Sequence, residues 1–149
     1  MTFVSYDFPL GWWTFGIENG VIVSLSPGKC EKSETCPLSD KAADELDRYF
    51  RGMLEKFSVP IAPKGTAFQK NVWSSLCRIP YGETRSYASV AADAGHPSAV
   101  RAAANAVGRN PIPIILPCHR VIRTDGSIGG FSLGTELKRK LLQIEKIYL

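Results

Sequence analysis

A cysteine and a histidine stand side by side after the most apolar stretch of this chain. The stretch "PIPIILPCHRVI" runs from Pro111 to Ile122, and its composition predicts a buried strand. Cys118 and His119 lie near its end. A free thiol with a pKa of about 8.5 is only a few per cent ionised at neutral pH, so a neighbouring base would generate the nucleophilic thiolate. The pair indicates nucleophilic chemistry, although a buried cysteine is more often inert packing.

A third residue, Glu145, has the position needed to assist such a pair. Side chains of adjacent residues face opposite sides of an extended chain, so we expect His119 to reach Cys118 through a bridging water. Glu145 follows Leu141 by four residues and Leu142 by three, which places it on the apolar face of a predicted helix. A buried carboxylate needs a partner and could hold one tautomer of the imidazole. The alternative is an edge position that reaches solvent.

The charges divide the chain into two parts. Residues 1–62 contain six basic and nine acidic side chains, a net charge of −3, whereas residues 63–149 contain twelve and five, a net charge of +7. The segment "SVPIAPKGT", with two prolines and a glycine, lies where the sign changes. We therefore predict domains at 1–62 and 63–149, and a polyanionic partner for the second. Chance segregation of charge is the competing interpretation.

The first part has the pattern of a small sheet followed by a helix. The stretches "FVSYDF", "WWTFGIE" and "VIVSL" predict strands, and Asn19-Gly20 predicts a hairpin turn between the last two. Apolar residues at helical spacing, from Leu38 to Met53, predict a helix capped by Ser39 or Asp40.

The second part is predicted to be mostly helical. Phe68, Val72 and Leu76 mark one helix, and "TELKRKLLQIEKIYL" marks the last, with Thr135 as its cap and Tyr148 on its apolar face. Between them, "TRSYASVAADAG" and "SAVRAAANAVG", the latter capped by Ser98, predict a helix-turn-helix. The predicted fold class is α/β (α+β): a small N-terminal lobe of hairpin, sheet and helix, then a mainly helical C-terminal domain with a helix-turn-helix.

The second helix of this motif is rich in alanine, and Arg101 is its only charged residue before Arg109. Small residues such as Ala102 let a helix backbone approach another surface closely. Arg101 and Ala102 are therefore candidates for contact with nucleic acid. The competing interpretation is a helix packed tightly against its neighbours, with Arg101 as a solvated surface charge.

Several classes of protein are disfavoured by the sequence. No run reaches the roughly 18–20 apolar residues of a membrane span, and the N-terminus lacks the features of a secretory signal, so we expect an intracellular, cytoplasmic protein with no membrane partner. The four cysteines form no CxxC pair and there are two histidines, so no metal site is predicted. Cys30 and Cys36 could close a short disulfide loop, against which an intracellular setting argues.

The motifs together resemble the active-site region of the O6-alkylguanine-DNA alkyltransferases. The resemblance covers Pro63 to Glu145 and rests on "PYGETRSYASVA", "GHPSAVRAAANAVGRNP", "PCHRVI" and "GSIGGFSLGTELKRKLLQIE". It implies a monomeric DNA-repair protein without cofactor that binds duplex DNA through the minor groove and flips out O6-alkylguanine, with O4-alkylthymine as a second candidate. The alkyl group would move irreversibly to the protein, once per molecule. Residues 63–149 would be the DNA-binding and alkyl-transfer domain.

The resemblance also implies roles for particular residues. It implies that Cys118 accepts the alkyl group, that His119 is a water-linked base and that Glu145 is the carboxylate that orients this base. It also implies that Asn110 is a hinge asparagine and that Tyr87 donates to the guanine ring.

A second set is implied for contact with DNA and the base. Arg101 would fill the space left by the flipped base, and Ala102 lies beside it on the helix. Val121 would offer its carbonyl to the base, and Ser132 would lie near the guanine oxygen. Leu133, which follows Ser132, leaves the tolerance for large alkyl groups open.

Two other functions compete with alkyl transfer. One is a DNA-binding module that senses lesions without repairing them; the resemblance implies that non-repairing relatives carry tryptophan at the nucleophile position, which Cys118 disfavours. The other is a thiol hydrolase that uses Cys118 and His119.

Overall fold

The computed structural model describes residues 1–149, which form two compact units, Met1–Lys64 and Gly65–Leu149. Three strands form a small antiparallel sheet and five helices accompany it, so the predicted α+β class is confirmed. None of the helices has the length and hydropathy that crossing a lipid bilayer demands.

The first unit is a three-stranded sheet covered by one helix. Strands β1 (Thr2–Phe8), β2 (Gly11–Glu18) and β3 (Val21–Pro27) pair in the order β1-β2-β3. The predicted hairpin turn joins β2 to β3: Asn19 and Gly20 have φ angles of 51° and 74°, which a two-residue turn of this type requires. Helix α1 (Pro37–Phe50) packs aromatic side chains against the sheet, with Phe50 and Phe8 centred 5.7 Å apart.

The ends of α1 differ from the prediction. Cys36, and not Ser39 or Asp40, is the N-cap: its Sγ accepts from the Ser39 backbone N–H at 3.4 Å, and the Ser39 hydroxyl accepts from the Cys36 N–H at 2.8 Å. The helix begins at Pro37, because proline suits a first-turn position where its missing N–H is not needed. Met53 lies beyond the helix and is exposed. Both Cys30 and Cys36 are free thiols, so they form no disulfide.

The second unit is mainly helical. It contains α2 (Ala67–Cys77), α3 (Tyr87–Asp93), α4 (Val100–Gly108) and α5 (Thr135–Ile144), and a short parallel pairing of β4 (Arg85–Ser86) with β5 (Val121–Ile122). Helices α3 and α4 form the predicted helix-turn-helix.

Side-chain caps predicted for two helices of this unit are wrong. The N-cap of α4 is Ala99 rather than Ser98, and that of α5 is Gly134, so Thr135 is the first helical residue; neither has a side-chain cap. Gly134 has a φ of 97°, which a side chain would disfavour. Helix α5 ends at Ile144, so Tyr148 is not on its apolar face and is exposed.

The apolar segment before Cys118 is not a strand, contrary to the prediction. Its chain folds back on itself, with the Leu116 N–H donating to the Ile112 carbonyl at 2.9 Å and Ile114 at a φ of 76°. Prolines at 111, 113 and 117 have no N–H and cannot complete a strand ladder. The segment then enters a single 3-10 turn, Cys118–Arg120, before the two residues of β5.

Candidate active site

The thiol of Cys118 borders a cavity of about 170 Å³ inside the second unit. Cys118 is 4% exposed and opens the 3-10 turn, with its N–H donating to the Leu116 carbonyl at 2.7 Å. The wall of the cavity comes from α3, α4, the 3-10 turn and the glycine-rich loop, residues 129–134: Tyr87, Ala104, Val107, Gly108, Cys118, Gly130, Phe131 and Ser132. A buried nucleophile therefore faces a space large enough for a small molecule or part of one.

The surroundings keep this thiol protonated in the resting protein. Burial raises the pKa of Cys118 to about 11, because an apolar environment disfavours the thiolate. A hydrogen bond from the Asn110 side chain and the charge of Lys138 act in the opposite direction without reversing the shift. Reaction at neutral pH therefore requires a base that removes the proton during the chemical step.

His119, the next residue of the turn, is the candidate for this base. His119 is completely buried, and its Nε2 lies 2.6 Å from Oε2 of Glu145, which is 3% exposed. The other carboxylate oxygen, Oε1, accepts from Nε of Arg120 at 2.8 Å and from the Gly82 N–H at 2.9 Å. One carboxylate thus orients the imidazole and is itself held by a guanidinium and a backbone amide.

The pKa shifts of this cluster favour a neutral imidazole and an ionised carboxylate. Burial is the main cause that lowers the pKa of His119; Glu145 opposes it, and the charges of Arg120 and Lys138 add to it. Burial pushes the pKa of Glu145 upward, but its hydrogen bonds and the charges of its neighbours bring it down to about 2. A neutral imidazole beside a carboxylate can accept a proton, as the base of a catalytic triad does.

Asn110 braces the folded segment that leads to the thiol. Its Nδ2 donates to the Leu116 carbonyl at 2.7 Å, and its Oδ1 accepts from the Ile112 N–H at 2.9 Å. These two bonds supply the polar partners that the proline-containing segment lacks, so one side chain fixes the path from α4 to Cys118.

Tyr87 and the glycine-rich loop form the opposite wall. The Tyr87 hydroxyl is 3.4 Å from the Gly130 carbonyl, and burial raises the pKa of this phenol, so it stays a proton donor. Gly129 has a φ of 73°, and a Cβ there would lie 3.3 Å from the Tyr87 ring. A glycine therefore lets the loop pass close to the tyrosine. Ser132 is an exposed residue of the cavity wall.

Lys138 of α5 joins the loop to the strand after the turn. Its Nζ, fully buried, donates to the Val121 carbonyl at 2.6 Å and to the Gly130 carbonyl at 3.0 Å. Burial is the main cause that lowers the pKa of Lys138 to about 8, while the Cys118 thiolate would raise it. The Val121 carbonyl, predicted to contact a base, already has this donor.

The two candidates on α4 do not border the cavity. Arg101 and Ala102 are exposed on the helix, whereas Ala104, Val107 and Gly108 of the same helix line the space in front of the thiol. One helix therefore presents an outer face to solvent and an inner face to the reactive group.

A second cavity of about 180 Å³ lies between α2 and α3. Its charged residues already have partners: Asp93 accepts from the Ser75 hydroxyl at 2.7 Å and from Nε of Arg78 at 2.8 Å. Its lining contains no cysteine and no histidine, whereas the cavity beside Cys118 contains a thiol.

Comparison with known proteins identifies the family. A family model described as the DNA-binding domain of 6-O-methylguanine DNA methyltransferase matches residues 67–147. The methylated-DNA–protein-cysteine methyltransferase of Mycobacterium tuberculosis is 41% identical over 149 residues, which covers 95% of this chain and 90% of that protein. This chain belongs to the methylated-DNA–protein-cysteine methyltransferase family. The enzyme of that name from Methanosarcina barkeri is 52% identical over 106 residues, covering 71% of this chain and 67% of that protein.

Solved structures agree with this membership. A crystal structure of the Mycobacterium tuberculosis protein OGT in complex with DNA matches with a TM-score of 0.88 and 38% identity, covering 98% of this chain and 93% of that one. The resemblance drawn from the motifs is therefore confirmed, and the chain is a methyltransferase that uses a protein cysteine. Cys118 is the only buried one of its four cysteines.

The residues that sequence reasoning missed are Arg120 and Lys138. The sequence indicated a buried position for both. Arg120 adjoins the Cys-His pair, and Lys138 precedes Leu141 by three residues and Glu145 by seven, so it lies on the same apolar face of α5. A buried lysine or arginine needs partners, and the structure supplies carbonyl oxygens to both and a carboxylate to Arg120.

Proposed function

We propose that this methyltransferase repairs O6-alkylguanine in duplex DNA by moving the alkyl group to its own Cys118, once per molecule. The observation that carries the proposal is a buried Cys118 that borders a cavity and is followed in the chain by His119, whose imidazole is hydrogen-bonded to Glu145. Membership of the family supports the reaction class, and the buried position of Cys118 beside a cavity supports this cysteine as the alkyl acceptor.

The proposed chemical step is a displacement at the alkyl carbon. The Cys118 proton passes through a bridging water to His119, and the thiolate forms a carbon–sulfur bond as the bond from carbon to the guanine oxygen breaks. The electron pair leaves with the base, which takes up a proton from the Tyr87 hydroxyl, and the proton held by His119 then returns to the tyrosinate through solvent. Glu145 stabilises the transient imidazolium. The thioether does not revert, so each molecule acts once.

Double-stranded DNA is the proposed partner, and the base is proposed to leave the stack through the minor groove. The Mycobacterium tuberculosis relative was crystallised with DNA, and a structure of Atl1 from S. pombe, 29% identical with a TM-score of 0.50 over 56% of this chain and 79% of that one, contains DNA with O6-carboxymethylguanine. A base inside a duplex cannot reach a thiol that is 4% exposed, so it must be extruded. Arg101 and Ala102 face the DNA in this proposal, and Arg101 occupies the space that the base leaves.

The remaining roles follow from the same arrangement. We assign Ser132, which lines the cavity, to the neighbourhood of the guanine oxygen. We also propose that the Val121 carbonyl accepts a hydrogen bond from the base in addition to the one that it accepts from Lys138. We place DNA binding and alkyl transfer in residues 63–149, acting as a monomer, and we include O4-alkylthymine as a substrate to be assayed.

Duplex DNA that carries a labelled methyl group on one guanine O6 tests the proposal. We expect one equivalent of label on the Cys118 peptide by mass spectrometry, none in Cys118→Ser, and full transfer in Cys77→Ser, which removes an exposed thiol. DNA binding should persist in Cys118→Ser. Label that stays on the DNA would indicate a binding module, and repeated turnover of a small ester would indicate a hydrolase.

A further inference from the structure

The guanidinium of Arg120 lies against the carboxylate that orients His119, and the alkyl-transfer scheme gives it no task. Its Nε donates to Oε1 of Glu145 at 2.8 Å, while His119 occupies Oε2 at 2.6 Å. The Arg120 side chain is 9% exposed, and the side chains of His119 and Glu145 are completely buried. The negative charge of Glu145 thus interacts both with Arg120, which is always positively charged, and with His119, which becomes positively charged when it takes up a proton.

Arg120 is also fixed at its far end. Its Nη1 donates to the Ile79 carbonyl at 2.7 Å, and its guanidinium lies 5.8 Å from the centre of the Tyr81 ring. The Gly82 N–H, from the residue after Tyr81, donates to Oε1 of Glu145 at 2.9 Å. The guanidinium is therefore held beside the carboxylate by contacts at both of its ends.

The charge balance of the cluster decides what His119 can do. With Arg120 in place, Arg120, Glu145 and neutral His119 sum to zero, and protonating the imidazole would create a buried net charge of +1. Without Arg120, Glu145 and an imidazolium would form a neutral buried pair, so the imidazole would hold a proton at rest. Buried sites strongly favour the neutral combination, because an unbalanced charge loses its hydration.

We infer that Arg120 is a positioning residue that keeps His119 neutral, and so able to take the thiol proton, by balancing the charge of Glu145. The other charged group that acts on His119 is Lys138 of α5, whose charge works in the same direction as that of Arg120. The inference rests on the proposed use of His119 as the base, and it adds the residue that sets the protonation state of this base.

The direct test is an NMR titration of the resting protein. The chain has two histidines, and exposed His96 serves as an internal reference. We expect His119 to stay neutral in the wild type to a pH well below the ordinary range of a histidine, because burial lowers the pKa of its imidazole. In Arg120→Met the His119 titration should move to higher pH, and in Arg120→Lys, which restores the charge, it should return toward the wild-type position. If Arg120→Met does not fold, Arg120→Gln replaces it.

The second readout is the pH dependence of single-turnover transfer from methylated duplex DNA. In Arg120→Met the rate should fall by about tenfold for each pH unit below the raised His119 pKa, and it should approach the wild-type rate above it. A loss by the same factor at every pH, or an unmoved His119 titration, would show a structural role alone and overturn the inference. If the wild type transfers nothing while the titration still moves, the proposed function fails and the effect of Arg120 on His119 stands.

Discussion

At the scale of single residues, the site combines a thiol that is buried and protonated at rest with the groups that we propose to activate it. Burial holds the pKa of Cys118 at about 11, so few resting molecules carry a reactive thiolate. His119, Glu145 and Arg120 form a buried hydrogen-bonded cluster beside it. A protein that we propose to act only once benefits from this arrangement, because a reactive thiolate would be consumed by other electrophiles.

Replacing Glu145 with glutamine tests the cluster through both stability and rate. The carboxyl has a pKa of about 2 in the folded protein against an ordinary 4.5, so the stability it contributes is present above about pH 4.5 and is lost as the pH falls toward 2. The shift corresponds to an upper bound of about 3 kcal/mol. We expect Glu145→Gln to flatten the acid dependence of the free energy of unfolding in this range, measured by denaturant titration.

The same variant should slow alkyl transfer at neutral pH, because glutamine cannot stabilise an imidazolium as a carboxylate does. Glu45→Gln is the matched control: it removes a buried carboxylate of the first unit, which is bonded to Ser58 and Val59. That control should leave the single-turnover rate unchanged. An unchanged rate in Glu145→Gln would remove Glu145 from the proton path.

At the scale of elements, α4 connects the exposed surface to the reactive cavity. Its outer face carries Arg101 and Ala102, and its inner face lines the space before Cys118. Trp73 of α2 holds this helix in place, with its Nε1 donating to the Ala106 carbonyl at 2.8 Å. A duplex that rests on the outer face would therefore contact the same helix that lines the cavity beside Cys118.

Arg101→Ala separates base extrusion from chemistry. We expect this variant to lose much more rate on methylated duplex DNA than on the free O6-alkylguanine base, because only the duplex needs the vacated space to be filled. Arg48→Ala on α1, which removes one positive charge from the first unit, should change neither rate substantially. Single-turnover rates on the two substrates measure the difference, and equal losses would mean that Arg101 does not assist extrusion.

At the scale of the whole molecule, charge is unevenly distributed between the two compact units. The unit Gly65–Leu149, which holds every proposed site residue, has eleven basic and five acidic side chains, a net charge of +6. The unit Met1–Lys64 has seven and nine, a net charge of −2. This distribution favours a polyanion at the second unit.

Salt should therefore weaken the binding of duplex DNA while leaving the chemistry intact. Each phosphate that a basic side chain neutralises contributes a slope of about −0.9 to log affinity against log salt concentration. We expect a clear negative slope for unmodified duplex by fluorescence anisotropy. Transfer from the free alkylated base should be nearly independent of salt, and a flat binding curve would contradict a phosphate-binding surface.

The amino-acid sequence by itself determined the features that depend on local chemistry and periodicity. Alternation and an Asn-Gly turn determined the first sheet, helical spacing determined α2 and the helix-turn-helix, and the motifs around Cys118 determined the family. The fold class followed from the alternation and the helical spacing, and the reaction class followed from the family that the motifs resemble. These patterns are all formed by residues close together in the chain.

Only the tertiary structure decided which polar and charged groups, far apart in the chain, become hydrogen-bond or ion-pair partners. The apolar segment before Cys118 is folded rather than extended because its prolines lack donors and Asn110, at its start, supplies the missing bonds. Arg120 and Lys138 are buried beside Glu145 and Gly130 because elements far apart in the chain bring a carboxylate and carbonyl oxygens to them. Such partnerships depend on long-range packing and desolvation, which a one-dimensional pattern of residues does not contain.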